Sequence, residues 1–344
     1  MHVAAQDIGP GMDALHSDRT LLIKAKGGLG NRMLSAICGL LFADLTGRRP
    51  VIDWRDGSYA PEGENAYPLL FDTPADMAAP DAFDDWQGAV SPATWQGSLD
   101  VPAARMVHRH DPSAHSSARI YRRFCTDLSR LDAPEALAVF WCYLPKFARL
   151  APHLRRDPRF AGRTRNAIIE DYLGRYFTPN ARVRAAVESE IAAMGRPHLG
   201  VHVRYTDRKV PVHRIEAALD RKLKDQPDAA IFLATDSAEI EKRFAQRYGE
   251  RMHSTDKYLA ADGARLHEMF SGPDGVTKQT EAENALIDIL LLSRSAHLVC
   301  SRHSTFAETA ILYGAMSGRN MGRVTDIDRL NAKVVVKRIV QDYL

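Results

Sequence analysis

Cysteine is scarce in this 344-residue chain, and none of its four cysteines belongs to a CxxC pair. Cys38, Cys125, Cys142 and Cys300 are too widely scattered to suggest a zinc knuckle or a disulfide framework. Three of them lie in apolar surroundings and read as small core residues, which fits a reducing compartment. No apolar run reaches the ~18 residues that a membrane-spanning helix needs. The first twenty residues lack the apolar stretch of a secretion signal. The expected location is therefore the cytoplasm, with at most a peripheral association with a membrane. Net charge is also small: 46 Lys and Arg against 43 Asp and Glu leave +3, no argument for a nucleic-acid partner. The basic stretch RLAPHLRRDPRFAGRTR (149–165) has acids close by and reads as a solvated face. There is no internal repeat and no low-complexity tract.

What is present is an alternation of short apolar runs and helical patterns. TLLIKA (20–25) is a strand that ends in a glycine loop, KGGLGN. Met33, Ile37, Leu40 and Leu41 then recur at helical spacing up to Gly47, and PVIDW (50–54) is a second strand. Strand, helix, strand in that order is the unit of a parallel sheet. Residues 55–135 are irregular and rich in Pro, Asp and Ala, and no element is assigned there. LAVFWCYL (137–144) is another buried strand, and helices follow between 165 and 195. A second alternation begins after Gly195: strands at 198–204, 230–236, near 251 and 297–301, with helices at 214–226, 238–248, 281–295 and 304–317. The pattern predicts an α/β protein of two domains, 1–190 and 191–344, with the site in the cleft between them.

Three strands end in polar residues, where open α/β sheets bind ligands. In HLGVHVR, His198, Gly200, His202 and Arg204 share one side of the strand. Arg204 offers a planar fork to a phosphate or carboxylate; the alternative is an ion pair with Asp207 or a helix carboxylate. AIFLATD ends in Thr235, Asp236 and Ser237, where either of the last two suits a helix cap. HLVCS runs into Arg302, His303, Ser304 and Thr305, a helix start that suits an anion or plain capping. Asp288 interrupts the apolar helix NALIDILLLS, where a carboxylate needs a partner. Two adjacent donors of a guanine base would suit it, and so would a core cation. KGGLGN is neither a P-loop nor GxGxxG; its glycines serve either close ligand approach or tight strand–helix packing. Asp326-Ile327-Asp328, the one DxD string, reads as a turn rather than a metal site, and no metal is expected.

Taken together, GRRPVIDWRDGSY (47–59), GVHVRYTD (200–207), IFLATDS (231–237) and ALIDILLLSRSAHLVCSRHSTF (285–306) resemble the fucosyltransferase superfamily of GT-B fold, and within it the α1,6-fucosyltransferases. GGLGNRM is similar to a segment of the α1,2-fucosyltransferases. The resemblance implies two Rossmann-like α/β domains facing a cleft: an N-terminal acceptor-side domain and a C-terminal nucleotide-sugar-binding domain. It implies GDP-fucose as donor substrate with no separate cofactor, a glycan acceptor, and inverting, metal-independent transfer. Carried over, Arg204 binds the β-phosphate, and His202 and Asp288 face guanine. Asp236, His303, Ser304 and Thr305 lie along the donor, and Gly28, Gly30 and Asn31 face it from the N-terminal loop. The animal α1,6 enzymes carry a longer insert after the histidine–arginine motif, with a glutamate proposed as base. Here TDRKVPVHRIE is shorter and no acid aligns; Asp207 and Glu216 are the nearest carboxylates, and Asp207 is the candidate base.

Overall fold

A computed structural model of the chain describes residues 19–113, 117–195, 198–205, 209–257, 259, 277–318 and 323–328. Two parallel sheets lie one after the other along the chain. The first contains β1 (Thr20–Lys24), β2 (Arg49–Asp53), β3 (Val90–Ser91) and β4 (Leu137–Trp141), in the order β2-β1-β4-β3. The second contains β5 (His198–Val203), β6 (Ala230–Thr235), β7 (Met252–His253), β8 (His297–Cys300) and β9 (Val324–Asp326), in the order β7-β6-β5-β8-β9. Every residue of β1, β4, β5, β6 and β8 is buried, as expected of strands covered by helices on both faces.

In each sheet the first strand in sequence has a neighbour on either side. β1 pairs with β2 and β4, and β5 pairs with β6 and β8. The chain thus winds first to one side of that strand and then to the other. Loops leaving the carboxyl ends there diverge and leave room for a ligand.

Eleven helices are described. α1 (Leu29–Thr46) ends at Gly47, whose φ of 62° is the left-handed conformation in which glycine stops a helix without penalty. α2 (Tyr67–Leu70), α3 (Ala103–His110), α4 (Ala118–Phe124) and β3 occupy the stretch in which the sequence pattern assigns nothing. α5 (Phe147–Arg156) carries the first part of the basic run and turns Phe147, Leu150 and Leu154 inward. α6 (Arg165–Tyr176) and α7 (Ala181–Met194) lead to β5; α8 (Val212–Asp225) and α9 (Ala238–Tyr248) flank β6; α10 (Lys278–Arg294) and α11 (Thr305–Met316) flank β8. Thr164, Asn180 and Ser237 each accept an N–H of the helix that they start.

The two sheets share a core. One apolar cluster runs from Leu22 and Ile37 through Phe140 and Ile169 to Leu286, Leu298 and Leu312. A smaller cluster, including Leu199, Val201, Val203, Ile215 and Phe244, fills the other face of β5 and β6. All four cysteines are buried free thiols. The sulfurs of Cys125 and Cys142 are 3.9 Å apart despite their spacing in sequence, and Cys38 accepts the Lys146 N–H.

Candidate functional site

The carboxyl ends of β1, β5 and β8 converge. Alternation along β5 places His198, Gly200 and His202 on the side facing α10 and α11. His198 bonds the Leu291 carbonyl at 2.9 Å. A Cβ at Gly200 would lie 2.7 Å from Ser295 Oγ. The His202 ring stacks on Phe306 of α11, 5.0 Å between centroids. The second cluster takes Leu199, Val201 and Val203 on the other side, so the division read from the sequence holds along β5 itself, from His198 to Val203.

His202 is buried and its Nδ1 has no hydrogen-bond partner. Burial, with the nearby charges of Arg204 and Lys257, lowers its pKa to about 3. The imidazole is therefore neutral near pH 7, with one nitrogen able to donate and the other to accept. Ser304 Oγ is also buried without a partner. Ser304 starts α11, yet its hydroxyl makes no capping bond, which sets aside plain capping for this residue. A buried polar atom left unpaired costs about 1–3 kcal/mol, and native proteins keep few of them. Two at neighbouring strand ends make this end of the sheet the candidate site for a polar ligand.

α1 brings the glycine loop to α11. An added Cβ at Gly30 would come within 2.7 Å of the Thr305 backbone, so this glycine is bare because a helix end packs against it. The Thr305 hydroxyl donates to Asn31 Oδ1 at 2.6 Å across the same contact. Gly28 is different: the nearest group to its Cβ direction is the Tyr59 hydroxyl, 3.9 Å away. Burial pushes the Tyr59 phenol up, against the pull of Arg32, the Leu29 N–H and Arg204. Tyr59 thus stands between the start of α1 and the end of β5. Arg32 fixes the loop from inside, donating to the Gly27 carbonyl at 2.7 Å and to Asp56 at 2.5 Å, with its guanidinium 4.8 Å above the Tyr59 ring.

Carboxylates brace the surrounding loops. Asp236 accepts the Tyr205 N–H at 2.8 Å, tying down the residue after Arg204, while Ser237 takes the capping role. Asp326 accepts the Arg302 N–H, and Asp328 accepts from Ser301 Oγ at 2.8 Å and from the His303 N–H at 3.2 Å. The string read as a turn is instead the end of β9 and a clamp on the 301–304 loop. Among the described residues no group of three or more His, Cys, Asp or Glu is arranged to hold a metal ion.

Asp288 finds a cation, as a buried carboxylate must. Lys257 donates to Oδ2, and Thr255 donates to Oδ1 at 2.7 Å. The pair is buried on both sides. Each carboxylate oxygen has a second lone pair for a further donor. Glu216 is held by both arms of Arg243, at 2.7 and 2.6 Å. Asp207 lies outside the described residues. Sequence reasoning singled out neither Tyr59, Arg32, Lys257 nor Phe306; Tyr59 and Phe306 close two of the quoted motifs, whereas Lys257 stands in a stretch with no pattern.

No family model matches the chain. It is 22% identical over 292 residues to Nodulation protein Z of Bradyrhizobium diazoefficiens, covering 81% of this chain and 74% of that protein. Structures of the NodZ α-1,6-fucosyltransferase soaked with GDP-fucose and co-crystallised with GDP align with TM-scores of 0.57 and 0.55. Each is 20% identical and 92% covered, over 86% and 85% of this chain respectively. The chain has the GT-B fold of these transferases. The fold class implied by the motifs is the one observed, and no described helix is long and apolar enough to cross a membrane.

Proposed function

We propose that this protein transfers fucose from GDP-fucose to a hydroxyl of a glycan, with inversion and without a metal. The observation that carries the reading is the pair of unpartnered buried atoms, His202 Nδ1 and Ser304 Oγ, at the strand ends where the α1 and α11 N-termini meet. The shared fold with a transferase solved with GDP-fucose supports it.

In this reading residues 191–344 hold the donor and 1–190 carry the acceptor side. Neutral His202, Asp288 and Lys257 face guanine. Arg204, His303, Ser304, Thr305 and the N–H groups of α11 receive the diphosphate, with Gly28 and Asn31 opposite; Gly30 permits the close approach of the two helices. Asp236 holds the Arg204 loop. The acceptor oxygen attacks C1 as the C1–O bond to the diphosphate breaks from the opposite face. The hydroxyl proton goes to a base, for which Asp207 is the candidate, and GDP departs. Arg204 and the helix N-terminus stabilise the charge that grows on the leaving group. Free thiols accord with a cytoplasmic enzyme.

Thermal-shift titration with GDP, UDP, ADP and GDP-fucose tests the donor, and product formation with and without EDTA tests the rest. Stabilisation by GDP and GDP-fucose alone, with EDTA-resistant transfer, is expected. A preference for UDP or ADP overturns the donor assignment, and activity lost to EDTA and restored by Mn²⁺ overturns metal independence.

A further inference from the structure

We infer that the acceptor is an anionic glycan, bearing carboxylate, sulfate or phosphate groups, and that it rides on an arginine-rich rim formed by α3 and α4. The inference rests on the transferase reading above. It begins with charge. α3, α4 and α5 contain eight arginines and three histidines and no acidic residue. Segment 103–165 holds thirteen Lys and Arg against five Asp and Glu, so it is far more basic than a chain of net charge +3 requires.

Basic residues at helix C-termini are ordinarily explained by the helix dipole. His108, Arg109 and His110 of α3 and Arg122 and Arg123 of α4 stand in last turns and satisfy that rule. Arg105, Arg119 and Arg149 do not. They stand in the first turns of α3, α4 and α5, where a cation is disfavoured and where no acid is present. Arg105 is offset by Glu62, and Arg149 lies near enough to Asp127 to lower its pKa. Arg109, Arg119, Arg122 and Arg123 are exposed and form no salt bridge among the described residues. Four exposed guanidinium groups on two adjoining helices leave this rim positively charged, a field that attracts an anionic ligand.

The rim belongs to the end of the sheet where transfer would occur. Lys24 closes β1, and its ammonium lies 5.3 Å from the Trp95 ring centroid. Trp95 donates to the Phe124 carbonyl at 2.8 Å, and Phe124 meets His110 at 5.7 Å between centroids. Cys125, next in the chain, touches Cys142 just past the end of β4. The C-termini of α3 and α4 thus meet at the carboxyl edge of the first sheet, the edge from which the glycine loop enters α1. A linear glycan with one end in the site would extend over this edge. Guanidinium forks match the planar or tripodal oxygens of carboxylate, sulfate and phosphate. A lipid bilayer is the other large anionic surface. The described chain exposes a single large apolar side chain, Met316 on α11, which leaves α3 and α4 nothing to insert.

The test uses the whole protein with oligogalacturonate and, as the uncharged control, chitotetraose, at low salt and at about 0.5 M NaCl, where screening leaves only the shortest contacts. Binding and fucose transfer from GDP-fucose are measured for wild type and for Arg119→Glu/Arg122→Glu/Arg123→Glu. GDP affinity is followed separately by calorimetry. The wild type should prefer oligogalacturonate at least ten-fold, and the variant or high salt should abolish that preference with GDP affinity unchanged. Should the reversal variant fail to fold, Arg122→Gln/Arg123→Gln is measured in its place and should weaken binding several-fold. Equal affinity for both sugars, or a preference that survives the substitutions, overturns the inference. So does variant-sensitive binding to phosphatidylglycerol vesicles in a protein that ignores oligogalacturonate. Loss of GDP binding with oligogalacturonate binding intact would instead sink the donor reading and leave the rim standing.

Discussion

His202 is stored uncharged inside the molecule, and that has a thermodynamic signature. Its pKa falls from 6.5 to about 3 on folding, chiefly through burial. Between those values the unfolded chain binds a proton that the folded chain does not. Stability from this group is therefore complete above pH 6.5 and is lost as pH falls towards 3. Chemical denaturation across that window should show wild-type stability falling more steeply than that of His202→Phe, by about 1.4 kcal/mol per pH unit. Parallel curves would mean that the imidazole takes up its proton in the native state. Arg204 is expected to act on the transition state, where the diphosphate gains charge. Arg204→Ala and Arg204→Lys should fold and each lose on the order of 100-fold in kcat, since lysine lacks the two-pronged contact. A folded Arg204→Ala enzyme with near-normal kcat would reduce the arginine to a brace. Asp288→Asn removes the partner of buried Lys257 as well as the proposed guanine acceptor. It should weaken GDP binding by roughly 2–3 kcal/mol, read by calorimetry beside a melting curve.

At the scale of elements, the contact between α1 and α11 is the most exacting. The Thr305 backbone cannot turn aside for a methyl group at Gly30. Gly30→Ala should lose roughly 1–3 kcal/mol from overpacking, more than the ~1 kcal/mol that alanine contributes to a helix. A melting temperature at or above wild type would show that the two helices slide apart freely. Helices and strands of this kind were legible wherever the pattern was long. β1, β4 and β6 are continuous apolar runs, and α6, α7 and α9 open on Thr, Asn and Ser caps. β3 was not legible, because two residues make no period. α5 was hidden because its arginines dominate the run, while Phe147, Leu150 and Leu154 mark its inner face at helical spacing. His202, Arg204, Ser304 and Thr305 could be chosen because they follow strands. Lys257 could not, since only the fold brings it to Asp288, and Asp326 and Asp328 became loop clamps for the same reason.

The whole molecule is less divisible than two sheets suggest. α11 follows the last strand of the second sheet's central group, yet it packs on α1 and α6. A fragment of residues 1–190 would leave that surface bare, and it should be insoluble or molten by circular dichroism and dye binding, whereas the full chain should unfold in one transition. A soluble fragment with a sharp melting curve would show that the first half folds alone. The arrangement also bears on synthesis. Sixteen of the eighteen residues of α1 are buried in the finished protein, and part of its cover is encoded some 260 residues later. At roughly 5–20 residues per second, the ribosome takes about 13–50 s to supply it. For that interval α1 of the nascent chain carries an unprotected greasy stripe, and each polysome carries several at once.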